Sequence, residues 1–485
     1  MKILLFVLAG LLILSLLAFG ASVFPIPSGD SHAFIPPALL LKAGGGLRNP
    51  ISDLARQLDP TGRARYLQYP PLFPWILARL MARPTPAAAF LAIAGLNAMN
   101  VVLCALLFAR VARFRPGTAA LALLGIATLL AGEQTGRPEV LATLWVLLAV
   151  HVHLALPPER SWLPAGVILG LLGATHPVGA LLLGLLAVLA YAVHLPTGRA
   201  LRTACGTLAT SLAVFAGVLA AGPFGLRETL EGMRRHGGAV VTRGSQGTLV
   251  PYWITNPGGT LYALPYLLLL ALLVWRASRG DLTVRSRTLF GSVLLPLLAV
   301  VWRTGVQIPE LSYNVLLFAP LVFAGSLYLA GRREEEDWPR RGTALVLGLT
   351  GLGYLRHLVL FGLFLTQGVP LAEARAAIRR LPPGIPLAVT PSLWVVTEDY
   401  DRMTVFPLAE GPRPGAGAVV IQQSYTGLAS PPEVPGYRLV EDHFLPRPGL
   451  LLGVRVANTV PGYGYAVYRP DIAAATLPFR LSRLH

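Results

Sequence analysis

The stretch "FPIPSGDSHAFIPP", Phe24 to Pro37, sets a carboxylate and an imidazole directly after more than twenty nearly uninterrupted apolar residues. A carboxylate placed there suits a general base that takes a proton from an attacking hydroxyl. Asp30 is the candidate base, and His32 beside it is a candidate substrate contact. The next residues are strongly basic. Lys42, Arg48, Arg56, Arg63, Arg65, Arg79 and Arg83 stand between positions 25 and 86, against only Asp30, Asp53 and Asp59. Arginine grips phosphate through a planar fork that makes two parallel bonds. Arg63 and Arg65 are therefore candidate phosphate ligands, with plain anchoring at lipid headgroups as the alternative. The run "YLQYPPLFPWILARLM", Tyr66 to Met81, reads as a segment lying in a membrane interface, with Tyr69 as a candidate substrate contact.

Three further mouths carry chemistry. "AGEQTGRPEVLATLW", Ala131 to Trp145, supplies Glu133, Arg137 and Glu139. Glu139 also fits the positive start of a helix, so capping is open as its role. "GATHPVGA" supplies His176, which beside a proline equally suits a cap. "VQIPELSYNVL" supplies Glu310 and Tyr313. All are expected at one membrane face, where ionisable groups are costly and tend to be functional. Asn97 and Asn100 fit hydrogen bonding between helices.

The elements that must position these residues are mostly apolar. The 485 residues are 54% hydrophobic and 13% charged, against about 25% charged in soluble domains. Crossing the hydrocarbon takes about 20 apolar residues. Runs of that kind lie near 4–24, 87–109, 117–132, 139–156, 162–175, 178–195, 204–222, 260–275, 288–302, 313–330 and 343–366. Met1 to Phe24 is longer than a leader's apolar core and reads as an uncleaved first span. Alternate loops carry Lys2; Arg110, Arg113 and Arg115; Arg160; Arg199 and Arg202; Arg276 to Arg287; and Arg332 to Arg341. Basic loops stay in the cytoplasm. The expected fold is thus an α-helical polytopic membrane protein of about eleven spans, N-terminus in and C-terminus out. Segments 25–86 and 223–259 are its long external loops. "RRHGGAVVTRGSQGT" in the second suggests a mobile flap or a plain loop. Residues 1–366 form the membrane domain. Residues 367–485 read as a small extracytoplasmic α/β domain: "LAEARAAIRRLPP" is helical, and "IPLAVT", "MTVFPL", "AVVIQQ", "YRLVED", "LLLGVRV" and "YAVYRP" are β-rich runs between Pro/Gly turns.

The basic excess, 40 Lys+Arg against 23 Asp+Glu, fits cytoplasmic loops and anionic headgroups rather than nucleic acid. Cys104 and Cys205 fall inside expected spans and form no metal-binding spacing.

Together these features resemble the C-type membrane glycosyltransferases, the superfamily of protein O-mannosyltransferases and aminoarabinose transferases. The resemblance rests on an acid after the first span, a long external loop with interfacial helices, "YPPL", "GRPE", "THP" and a C-terminal α/β domain. It covers the whole chain in architecture. It implies an enzyme of the cell envelope, in the cytoplasmic membrane with its active site outside, moving a sugar from a polyprenyl-phosphate donor to a lipid, glycan or protein acceptor. The first-loop acid of such enzymes is typically essential, and Asp30 holds that position. Relatives often have an acidic pair there. Here Ser31 follows Asp30, which leaves a divalent metal open and departs from the mannosyltransferases proper. Arg137 and Glu139 match a basic-then-acidic pattern of relatives. Single displacement would invert the anomeric centre. Two readings remain beside the transferase: a flippase, polymerase or transporter of lipid-linked sugars, and a structural membrane protein.

Overall fold

The computed structural model describes residues 2–27, 30–59, 61–111, 116–244, 268–269, 271, 319–327, 337–406, 408, 410–412, 415–426, 428–445, 448–451, 454–457 and 460–471. Two compact units divide the chain. One comprises Met1–Pro25, Pro37–Leu47 and Tyr66–His357; the other comprises Ile26–Pro36, Arg48–Arg65 and Leu358–His485.

The first unit is helical. Among the described residues, four helices are long and apolar enough to cross a bilayer: Ile3–Ala21, Pro86–Val111, Thr197–Ala220 and Arg341–Gln367. Shorter apolar helices cover Gly117–Glu133, Glu139–Ala155 and Pro177–Ala192. With this composition the chain is a multi-pass membrane protein. Its helices include α1 (Lys2–Ala21), α4 (Leu72–Leu80), α5 (Pro86–Val111), α6 (Pro116–Glu133), α7 (Glu139–Ala155), α8 (Pro158–Gly173), α9 (Pro177–His194), α10 (Thr197–Ala220) and α11 (Gly225–Gly244), and α12 (Asp337–Gln367) starts within it. Eight apolar runs marked in the sequence are therefore helices. The run near 288–302 lies outside the described residues. Those near 260–275 and 313–330 are described only at 268–269, 271 and 319–327, which are helical.

Prolines and glycines punctuate these helices where backbone hydrogen bonds are dispensable. Pro158 and Pro177 stand in the first turns of α8 and α9, where the missing N–H has no helical partner to lose. Gly136 takes φ +102 in the turn between α6 and α7, a conformation that favours glycine.

Packing uses small residues. Inside a membrane, helices gain from close backbone approach rather than from leaving water. Gly166 and Gly170 lie one turn apart on α8 and face α10. A Cβ on Gly170 would sit 2.6 Å from Val214 Cβ and 2.7 Å from the Ser211 carbonyl oxygen. One on Gly166 would sit 2.6 Å from Thr210 Cβ. Gly20 does the same for α1 on α5, with Ala94 Cβ 2.6 Å from the missing methyl.

Side-chain amides cross-link the bundle. Asn97 Nδ2 donates to the Leu130 carbonyl at 3.1 Å, Asn100 Nδ2 to Val140 at 2.9 Å, and Gln134 Nε2 to Leu16 at 3.1 Å. The two asparagines thus bond between helices, as expected. α11 departs from the sequence expectation, in which residues 225–244 belong to a loop. Its glycines and charges hid a helix in which Glu231 bonds Arg234 and Arg235, three and four residues on; such pairs support an isolated helix.

The second unit carries α2 (Ser31–Lys42) over its first turns, α3 (Asp53–Leu58), α13 (Leu371–Arg380), a 3-10 turn Pro391–Val396, and the short α14 (Gln423–Thr426). Its strands are β1 (Leu387–Val389), β2 (Met403–Val405), β3 (Ala418–Gln422), β4 (Tyr437–Asp442), β5 (Gly449–Leu451), β6 (Val454–Ala457) and β7 (Tyr465–Pro470). Every β-rich run of the sequence holds a strand. One sheet has the order β2-β1-β3-β7-β4, and β5 and β6 pair separately. β1 lies parallel to β2 and β3, while β7 is antiparallel to β3 and β4. β1 and β3 are buried throughout. That explains their continuous apolar runs.

Gly170→Ala is expected to cost about 1–3 kcal/mol through overpacking. Gly217→Ala on α10, where a methyl meets nothing within 4 Å, should be neutral or slightly stabilising. Thermal unfolding of the two variants in detergent checks the contrast.

Candidate functional site

In the second unit Asp30 is exposed and directly precedes α2. Its carbonyl accepts from Ala33 N at 2.9 Å. The next residue, Ser31, is fully buried. Its hydroxyl oxygen accepts from the indole Nε1 of buried Trp394 at 2.7 Å. Asn49, also buried, donates Nδ2 to the carbonyls of His32 and Ala33 at 3.0 and 3.3 Å. The first turn of α2 is therefore held from two sides, while His32 is half-buried beside it.

Arg63 is exposed. Arg65 has a different setting. Its Nε donates to Asp59 Oδ1 at 3.0 Å, and its backbone N–H to Asp59 Oδ2 at 3.1 Å. Thr61 adds its backbone N–H and hydroxyl. Burial alone would raise the Asp59 carboxyl, whose side chain has no exposed surface. These four hydrogen bonds outweigh it and hold the group at about 2. Arg65 is thus tethered by a buried acid, whereas Arg63 is not so enclosed. A short antiparallel bridge pairs Arg48 with Arg65, and Arg48 forks onto Asp401 at 2.6 and 3.0 Å.

In the first unit Arg137, Glu139 and His176 come together. α6 ends at Glu133, whose side chain is buried, and α7 begins at Glu139. Glu139 is only 2% exposed. Arg137 reaches it twice, Nε to Oε2 at 3.3 Å and Nη2 to Oε1 at 3.2 Å. His176 caps α9 by accepting the Gly179 N–H on Nδ1 at 3.0 Å. In the neutral ring the proton therefore sits on Nε2, which lies 3.8 Å from Glu139 Oε1. Capping and contact with Glu139 coexist in this one residue. Thr175 beside it accepts from Trp145 Nε1 at 3.2 Å.

Tyr69 packs with Tyr66 at 6.2 Å and edge-on with His236 of α11 at 4.7 Å. Burial holds His236 below the ordinary imidazole range. Gly232 permits this contact, because a methyl there would sit 2.5 Å from Leu67 Cβ. Glu310 and Tyr313 lie outside the described residues. Among the described residues, no three His, Cys, Asp or Glu side chains group as metal ligands would.

No family model matches the chain, and no curated protein sequence matches it. Two crystal structures of ArnT from Cupriavidus metallidurans do match in fold. The one bound to undecaprenyl phosphate aligns over 97% of this chain and 99% of ArnT, at 13% identity and a TM-score of 0.51. The apo structure aligns over 96% and 99%, at 14% identity and a TM-score of 0.52. The chain has the fold of ArnT. This agrees with the C-type glycosyltransferase resemblance carried by the sequence. The aligned residues span both units.

Three contacts escaped the sequence reading. His236 falls in a stretch that reads as loop, although Thr229, Gly232 and Met233 precede it at helical spacing. Trp394 and Asn49 carry no local signal, because their partners are remote in sequence.

Asp59→Asn should lower stability by about 2 kcal/mol at neutral pH, the scale of buried hydrogen bonds to a charge. A depressed carboxyl stabilises the fold above its unfolded value, 3.8, and that contribution fades as pH falls toward about 2. Thermal midpoints of both proteins across this window should converge at the acid end.

Proposed function

We propose that this protein is an integral-membrane glycosyltransferase that takes a sugar from a polyprenyl-phosphate donor and delivers it to an acceptor hydroxyl. The observation that carries this reading is the full-length fold likeness to a protein crystallised with undecaprenyl phosphate. About eleven spans, an inside N-terminus and an external active site complete the proposal, on the strength of the alternating basic loops.

Asp30 is the base. It takes the acceptor's hydroxyl proton as that oxygen attacks the anomeric carbon. The bond from that carbon to the phosphate oxygen breaks, and the electron pair leaves with the phosphate. One displacement inverts the centre. Charge develops on the departing phosphate, and fixed positive groups are the main means of stabilising it. Arg63 is free of the Asp59 cage and suits this task. Arg65, tethered by Asp59, contributes a charge whose position is set in advance. His32, Tyr69, Glu133, Glu310 and Tyr313 bind substrate. Arg137, Glu139 and His176 form a pre-oriented polar group that receives the sugar or its phosphate. The acceptor is a lipid, glycan or protein, and the surrounding partner is the lipid bilayer.

Transfer of radiolabelled sugar from polyprenyl-phosphate donors tests the proposal. Asp30→Asn should lower transfer at least 100-fold, the scale of a lost general base, with the protein still folded. Glu139→Gln should weaken transfer less. Lipid-linked sugar crossing the bilayer without any transfer would replace the enzyme by a transporter.

A further inference from the structure

The C-terminal segment and two pieces of the first external loop share one compact unit. Three contacts knit them. Trp394 Nε1 donates to Ser31 Oγ at 2.7 Å, between two residues with no exposed surface. Arg48 forks onto Asp401. Val405 N donates to the Ile51 carbonyl at 3.3 Å, where β2 ends. The first contact differs from the others in place, because Ser31 is bonded in the chain to Asp30.

We propose that Trp394 is a positioning residue for Asp30, so that the C-terminal segment sets the geometry of the transfer step. This rests on Asp30 being the base. The indole is itself fixed. It lies in the 3-10 turn Pro391–Val396, every residue of which is buried. Tyr400 packs on it with ring centroids 6.5 Å apart. Arg375 of α13 donates Nε and Nη2 to the Val395 carbonyl, at 3.2 and 3.0 Å. Asn49 fixes the other side through the His32 and Ala33 carbonyls. The side chain of Asp30 stays exposed. The arrangement therefore immobilises the backbone that carries the carboxylate and leaves the carboxylate itself accessible. A base must meet its proton within hydrogen-bond reach, so small displacements cost turnover more than binding.

The test compares Trp394→Phe, Ser31→Ala, the double variant and Ser31→Thr in the transfer assay with purified full-length protein. The first two should each lower kcat about tenfold, through displacement of the base from its working position, with KM for the donor lipid nearly unchanged. The double variant should be no worse than the poorer single one, because both remove the same bond. Ser31→Thr keeps the hydroxyl and should keep most of the activity. If Trp394→Phe proves unstable, Ser31→Ala alone carries the kcat comparison. Unchanged kcat in Ser31→Ala beside an inactive Asp30→Asn would overturn the positioning role while leaving the base in place. Full activity in Asp30→Asn would instead remove the reading on which the role rests.

Discussion

A peptide group in hydrocarbon has no water to bond, so backbone polar groups there draw their partners from inside the protein. The helical unit is organised by that constraint. Asn97 and Asn100, one turn apart on α5, spend their N–H groups on carbonyls of α6 and α7. Gln134 spends its own on α1, and Thr128 of α6 donates to the Thr350 carbonyl of α12. These bonds do more than satisfy polar atoms. Leu130 and Val140 flank the turn that carries Glu133, Arg137 and Glu139. Both ends of that turn are consequently fixed from α5. The ionisable residues stand on a support that cannot drift without breaking bonds that nothing in the membrane would replace.

Electrostatics then separates the basic residues into two kinds. Glu139 is nearly enclosed, and Arg137 meets it with a two-point contact. Removing one partner of such a pair leaves a buried charge, which costs more than the pair itself contributes. Arg65 is matched by Asp59 through its Nε and its backbone N–H. Any anion reaching these arginines would compete with the carboxylates they already hold, so the matched arginines suit fixed charge better than mobile ligands. Exposed Arg63 has no such competitor in the Asp59 cage.

Much of this was legible in the sequence, and the failures have physical causes. Apolar runs bounded by proline, glycine and arginine mark helices because hydrocarbon thickness sets their length. The runs in the tail became strands because β-branched residues between turns have few other places to go. Arg137 and Glu139 are two residues apart, so their pairing is local. His176 reaches Glu139 only through helix packing, yet its place before Pro177 already marked a helix start. α11 is hard to read from the sequence because its moderate apolar content and several glycines mimic a loop, while the ion pairs that support it depend on helical geometry. The indole on Ser31 was out of reach for another reason. No periodicity links residues from opposite ends of a chain.

That last contact has a bearing on biosynthesis. Ser31 and Trp394 are separated by 363 residues. The loop bearing Asp30 leaves the ribosome early, and its buried partner arrives only after most of the membrane helices have been made. Until then Ser31 lacks the indole bond of the folded protein. Chains cut short before Trp394 would lack this bond altogether.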